Sequence, residues 1–246
     1  MVDTEFSLLI GLIFLSALLY ASVGHGGASA YLASMALVGV APETMRPAAL
    51  ILNVAVASIA VYKFYRVGAF SSRLFLPLAI AAMPMAFFGG LITLPSHIYK
   101  PVIGLVLLYA AWMVFRRAGQ VYQVNLELPK TPVLLAVGGV LGLISGLTGV
   151  GGGIFLSPLL LFFRWAEVRV ISGVSAAFIL VNSLSGLAGV MTKSPVLPTT
   201  LPYWVLAAVI GGYIGAEYGS KRLAVPAIRK ALAVVLLIAG VKMVLT

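Results

Sequence analysis

The sequence contains no cysteine, two histidines and six acidic residues in 246 positions, and charged residues make up only 9% of it. The missing cysteines exclude a disulfide framework, thiolate metal sites and thiol catalysis. Soluble domains carry about 25% charged residues, so this chain has too little polar surface to coat a globule in water. Hydrophobic residues fill the gap at 62%. The sixteen Lys and Arg leave a net charge of +10. They are scattered along the chain and not gathered on one face, so no nucleic-acid partner is expected. The composition is that of an integral membrane protein.

A helix needs about 20 apolar residues to cross a bilayer, with about 17–25 as the working range. Uncharged stretches of this kind cover 6–23, 47–62, 74–96, 101–115, 132–148, 170–192, 201–216 and 231–241. Two shorter pieces, 28–40 and 153–163, follow glycine clusters directly. At 1.5 Å per residue they fall short of a full crossing. The apolar runs are continuous and do not alternate with polar residues, which excludes a transmembrane β-barrel. The expected fold is therefore all-α, with eight full membrane helices, or ten segments counting the two short or re-entrant ones. Asp3 and Glu5 precede the first stretch with no cation, the reverse of a secretory leader, so that stretch is expected to stay in the membrane.

The chain resembles itself at a spacing near 125 residues. Gly24-His25-Gly26-Gly27 aligns with Gly149-Val150-Gly151-Gly152, and each cluster is followed by a short apolar piece and a charged turn. Beyond each turn comes a helix bearing one amide, Asn53 in the first copy and Asn182 in the second. This spacing predicts two membrane repeats, 1–119 and 132–246, joined by a polar cytoplasmic linker, 120–131. Twelve of the sixteen cations cluster in segments that the positive-inside rule assigns to the cytoplasm; Arg46, Lys100, Lys193 and Lys242 stand alone outside. Both termini then lie outside, and the second repeat is inverted relative to the first. Inverted repeats with broken helices are the plan of secondary transporters.

The glycine clusters carry the chemical expectation. Glycine costs about 1 kcal/mol against alanine inside a helix, and unwound backbone within a membrane is tolerated only where it faces protein or a water-filled cavity. The short helix after each cluster would direct its free N–H groups and positive dipole end at an anion. The expected substrate-binding residues are Ser22, Gly24, His25, Gly26 and Gly27 from the first cluster, and Thr148, Gly149, Gly151, Gly152 and Gly153 from the second. Ser29 and Ser157 lie close in sequence, and Asn53, Ser175 and Asn182 come from the helices behind. Tight packing of small residues is the competing explanation for the glycines, and helix bridging for the asparagines. His25 can either bond an oxyanion and carry a proton, since imidazole titrates near neutral pH, or bond a backbone carbonyl at the helix break.

The run Gly149-Val150-Gly151-Gly152-Gly153-Ile154-Phe155-Leu156-Ser157-Pro158 resembles the signature of the sulfite exporter TauE/SafE family, also called toluene sulfonate uptake permeases. The segment from Gly211-Gly212-Tyr213 through Glu217 to Lys221-Arg222-Leu223, followed by Arg229 and a last helix ending Gly240-Val241-Lys242, matches that family's terminal pattern. The first half departs from the cleaner second copy, with His25 where the second has Val150 and Ala28 where it has Gly153. The resemblance implies transport of sulfite, sulfoacetate or another organosulfonate across the bacterial cytoplasmic membrane. It implies this substrate class alone; composition and spacing do not.

The remaining polar residues invite simpler readings. Arg46 and Arg169 read as solvated loop charges able to steer an anion. Glu217 and Lys221 are spaced for an i,i+4 ion pair, and Trp165, Tyr203 and Trp204 for interfacial belts. No paired carboxylate, triad or metal-spaced histidine cluster shares a segment, so neither an enzyme nor a metal or cofactor site is expected. Lipid and a small anion are the expected partners, with homodimer assembly left open. The rivals to alternating-access transport are a passive anion facilitator and a membrane assembly subunit that carries nothing.

Overall fold

The computed structural model describes residues 3–116 and 129–221, with single positions at 237, 241 and 244. Nine helices occur among the described residues: α1 Asp3–Ala21, α2 Ala28–Val38, α3 Pro42–Arg66, α4 Ser72–Leu91, α5 Ser96–Arg116, α6 Thr131–Thr148, α7 Gly153–Phe162, α8 Val168–Met191 and α9 Leu201–Lys221. The two short pieces are α2 and α7, each set directly after its glycine cluster. α3 begins at Pro42, five residues before the uncharged stretch, because proline at the first helical position forfeits only an N–H that would be unpaired anyway. Most of the linker and the last apolar stretch, 231–241, lie outside the described residues.

Among the described residues, five helices are long and apolar enough to cross a membrane: Thr4–Ala21, Pro42–Arg66, Ser72–Leu91, Thr131–Thr148 and Val168–Met191. α5 and α9 have comparable length, 21 residues each. Leu76, Ile80, Leu105 and Leu206 are each more than half exposed, as side chains facing lipid would be. The chain is an all-helical, multi-pass membrane protein among the described residues.

The helices recur in matched lengths. α1 and α6 have 19 and 18 residues, α2 and α7 have 11 and 10, α3 and α8 have 25 and 24, and α4 and α9 have 20 and 21. Packing then exchanges the fourth helices. α4 lies against α6 and α8 of the second half, while α9 lies against α1 and α3 of the first, and α3 and α8 meet each other. One hydrophobic core is drawn from α4, α6, α7 and α8; the other comes mainly from α1, α2, α3, α5 and α9.

Two glycine ladders make the exchanged seams. On α6, Gly138, Gly142 and Gly146 press against the backbone of α4 so closely that an added Cβ would lie 2.1–2.3 Å from the carbonyl oxygens of Leu78, Ala82 and Ala86. On α9, Gly211, Gly215 and Gly219 press in the same way on Phe14 and Leu18 of α1 and on Ser22 just beyond its end. Helices gain no hydrophobic drive by leaving lipid, so such close backbone contact is what holds them.

Candidate functional site

The local sequence breaks both helix pairs in the same way. α1 ends at Ala21 and α2 starts at Ala28; α6 ends at Thr148 and α7 starts at Gly153. The residues immediately before the short helices, Gly27 (φ 102°) and Gly152 (φ 78°), adopt the left-handed conformation that side chains resist. Neither short helix has a side-chain cap on its first N–H groups.

The two breaks converge on a pair of side chains from the long central helices. An added Cβ on Gly26 would lie 2.4 Å from Asn53 Oδ1, and one on Gly151 would lie 2.6 Å from Asn53 Nδ2. Ile179 of α8 closes on the same ground, 3.0 Å from each of those positions and 2.3 Å from the corresponding one on Gly153. Asn53 Nδ2 donates to the Val150 carbonyl at 3.4 Å and to Ser183 Oγ at 3.3 Å. The amide thus ties α3, the second break and α8 together. Here the absence of a Cβ is what allows the approach.

A hydrogen-bonded chain crosses between the halves beside this point. His25 Nδ1 lies 3.0 Å from the Val23 carbonyl, Nε2 lies 3.0 Å from Ser157 Oγ, and Ser157 Oγ lies 2.7 Å from Ser175 Oγ. A carbonyl only accepts, so Nδ1 carries a proton, and in a neutral ring Nε2 is then the acceptor. Ser157 then donates to His25, which leaves Ser175 to donate to Ser157. Protonation of Nε2 would make the ring a double donor and reverse the polarity of the first link. His25 is half-buried, while both serines are buried.

Several buried polar atoms have no partner: Asn53 Oδ1, both amide atoms of Asn182, and Ser145 Oγ. Each unmade hydrogen bond on a buried group costs about 1–3 kcal/mol. Asn182 is fully buried on α8, one helical turn beyond Ile179. Asn53 and Asn182 do not bond to each other.

Other expected residues use their polar groups locally. The Ser22 hydroxyl donates to the Leu19 carbonyl at 2.7 Å, that of Ser29 to Tyr20 Oη at 2.8 Å, and that of Thr148 to the Ile144 carbonyl at 2.7 Å. Gly24 packs on the Ser172 backbone, Gly27 on the Tyr31 ring and Gly152 on Phe178. Tyr31 Oη donates to the Gly26 carbonyl at 2.7 Å, bracing the first tip. Ile179, Ser183 and Ser145 stand out only in the fold; along the chain they look like any apolar or small helix residue.

Arg46 corrects the reading of it as a solvated loop charge. It sits on α3 and is 7% exposed. Nη1 donates to the Ile92 carbonyl at 2.7 Å, and Nη2 donates to the carbonyls of Gly89, at 2.7 Å, and Gly146. It lies beneath the second break, its Cγ 3.0 Å from where a Cβ on Gly149 would stand. Arg169 is exposed, as expected, and donates to the Ser220 carbonyl at 2.9 Å. Glu217 pairs with Lys221 as the spacing suggests, and also with Lys63 of α3, whose Nζ stands 4.2 Å from the Tyr213 ring centre. Trp165 and Trp204 are buried at 8% and 1% exposure and so do not face the interface; Tyr203 is exposed. Among the described residues no group of three His, Asp or Glu gathers to hold a metal ion.

The sulfite exporter TauE/SafE family matches residues 9–243. A protein described as "Probable membrane transporter protein y4hK", from Sinorhizobium fredii (strain NBRC 101917 / NGR234), is 40% identical over 244 residues, covering 98% of this chain and 99% of that one. No solved structure matches the chain. With two glycine-broken helix pairs meeting on one buried amide, and a family match spanning nearly every residue, the chain belongs to the sulfite exporter TauE/SafE family of membrane transporters.

Proposed function

We propose that the protein is a secondary transporter of a small sulfur-containing anion, sulfite or an organosulfonate, working by alternating access between the two glycine breaks. The observation that carries this reading is the meeting of both breaks on Asn53 and Ile179, beside the His25–Ser157–Ser175 chain. A site assembled from both halves changes when one half moves against the other. The unpartnered, buried Nδ2 of Asn182 supplies a donor for an oxyanion.

The exchange of fourth helices supports two inverted repeats of five segments, related by a twofold axis in the membrane plane. The positive-inside rule supports an outer end at Arg46 and a cytoplasmic end at Lys63, Glu217 and Lys221, with both termini outside, and the family supports the bacterial inner membrane. His25 is the proton handle in this reading. No carboxylate lies in either break, so coupling to sodium or protons through an acid is disfavoured.

The test is uptake of radiolabelled sulfite and short sulfonates into proteoliposomes, with and without an imposed pH gradient. Saturable flux with counterflow is expected, responsive to the gradient in the wild type and indifferent to it in His25→Gln. Linear flux without counterflow would indicate a passive facilitator. No flux of any sulfur oxyanion or sulfonate would overturn the substrate class.

A further inference from the structure

The proposed anion-binding ground lies between the breaks, yet the most deeply buried cation among the described residues, Arg46, stands apart from it. A cavity of about 190 Å³ opens at the end of the molecule where α3 begins, lined in part by Glu43, Arg46, Thr93, Ser96, Tyr99 and Lys193. Arg46 makes its three bonds to neutral carbonyls, using only the terminal nitrogens. Its Nε–H is buried with no acceptor. Across the cavity, Lys193 Nζ donates to Thr93 Oγ1 at 2.9 Å, again a neutral partner. The single carboxylate lining the cavity, Glu43, accepts from Ser96 Oγ at 2.8 Å and feels the positive charge of Lys100.

Two cations with neutral partners therefore border this space, while its one lining acid accepts from Ser96 at the rim. A buried charge is costly unless a counter-charge meets it. The edge of a guanidinium offers parallel N–H donors that match two oxygens of one oxyanion. We propose that this vestibule is a second anion site, separate from the breaks, that binds a small oxyanion through the Arg46 Nε edge with Lys193 as the second cation. Halide lacks the paired oxygens and is the weaker ligand.

The site also touches the transport machinery. Arg46 holds the Gly146 carbonyl and Tyr99 Oη donates to the Thr148 carbonyl at 3.2 Å, so both grip the end of α6 where the second break starts. An oxyanion drawing the guanidinium toward the cavity loosens one of these two grips.

The chain's lack of cysteine makes the test direct. Val196 lines the cavity, is 79% exposed and offers no side-chain hydrogen bond. In full-length Val196→Cys, methanesulfonate and sulfate at roughly ten times their Kd should slow alkylation by an uncharged maleimide about tenfold, chloride much less. A reporter at the far end, Val168→Cys, should show no protection. Adding Arg46→Gln should remove the protection. Should that variant not fold, Arg46→Lys, which keeps the charge and loses the fork, and the exposed Lys193→Gln should each weaken it. No protection at Val196→Cys by either anion, or undiminished protection in the folded Arg46 and Lys193 variants, overturns the proposal. Flux without protection removes the vestibule and leaves the transport reading intact; protection without flux does the reverse.

Discussion

At one end of the molecule Arg46 enters from the first turns of α3 and meets the carbonyls that finish α4; at the other, Arg169 enters from the first turns of α8 and meets the Ser220 carbonyl of α9. The ends lie roughly 25 Å apart along α3, from Arg46 to Lys63, at 1.5 Å per residue. Their parts correspond in order and their chemistry differs. Around Arg46 the guanidinium is buried and its partners are neutral. Around Arg169 the arginine is exposed, and the nearby latch is the ion-paired set Lys63, Glu217 and Lys221. The two ends thus have separate electrostatics. At one end the cations pair directly with a carboxylate, and at the other Arg46 and Lys193 bond neutral partners beside a cavity.

The largest expected effect breaks the equivalence of the two arginines. Arg46→Ala removes three charge-assisted hydrogen bonds from a buried site, each of a kind worth about 1.5–3 kcal/mol. A steep loss of folded protein by size-exclusion chromatography is expected. Arg169→Ala should stay within about 0.5 kcal/mol of wild type, as surface substitutions do. Similar losses in both would mean that burial does not separate the two ends.

Next come the breaks. Gly151→Ala meets both a left-handed φ of 79° and the Asn53 amide, whereas Gly39→Ala has the same φ and open space. The backbone strain of about 1–2 kcal/mol is common to both. Transport should therefore fall far below wild type only for Gly151→Ala, and membrane insertion should persist in both. Equal loss of flux would assign the effect to backbone strain and not to the meeting of the breaks.

A third substitution separates function from packing. Asn182→Leu replaces two unpartnered buried amide atoms with hydrocarbon of similar size, so the melting temperature should hold or rise while flux disappears. A fall in both would make Asn182 a structural residue. The smallest effect belongs to Glu217→Gln. It weakens a partly exposed ion-paired set, so a small drop in melting temperature is expected, and high salt should narrow the difference from wild type.

How much of this was legible along the chain follows from the range of each interaction. The two breaks could be read because glycine clusters inside apolar runs violate helix chemistry within six residues. α2 and α7 were readable for the same reason, being short and placed directly after them. His25 and Asn53 stood out as rare polar residues in hydrocarbon. Arg46 was misread because its sequence neighbours, Pro42, Glu43 and Pro47, look like a turn. Its acceptors, Gly89, Ile92 and Gly146, lie 43 to 100 residues away. Trp204 was misread in the same way: an aromatic near a helix start suits an interface, and only its packing shows it buried.

By itself the sequence determined the class of molecule and, among the described residues, the positions of the helices and of the two breaks. These follow from hydrophobic length and glycine conformation, both local properties of the chain. Tertiary structure alone decided that the fourth helices change partners, that His25 reaches Ser157 across 132 residues, and that Arg46 is buried over a cavity. The reason is the same in each case. Backbone carbonyls and hydroxyls carry no sequence signature, so which cation or imidazole they meet is settled only when glycine ladders bring distant helices into backbone contact.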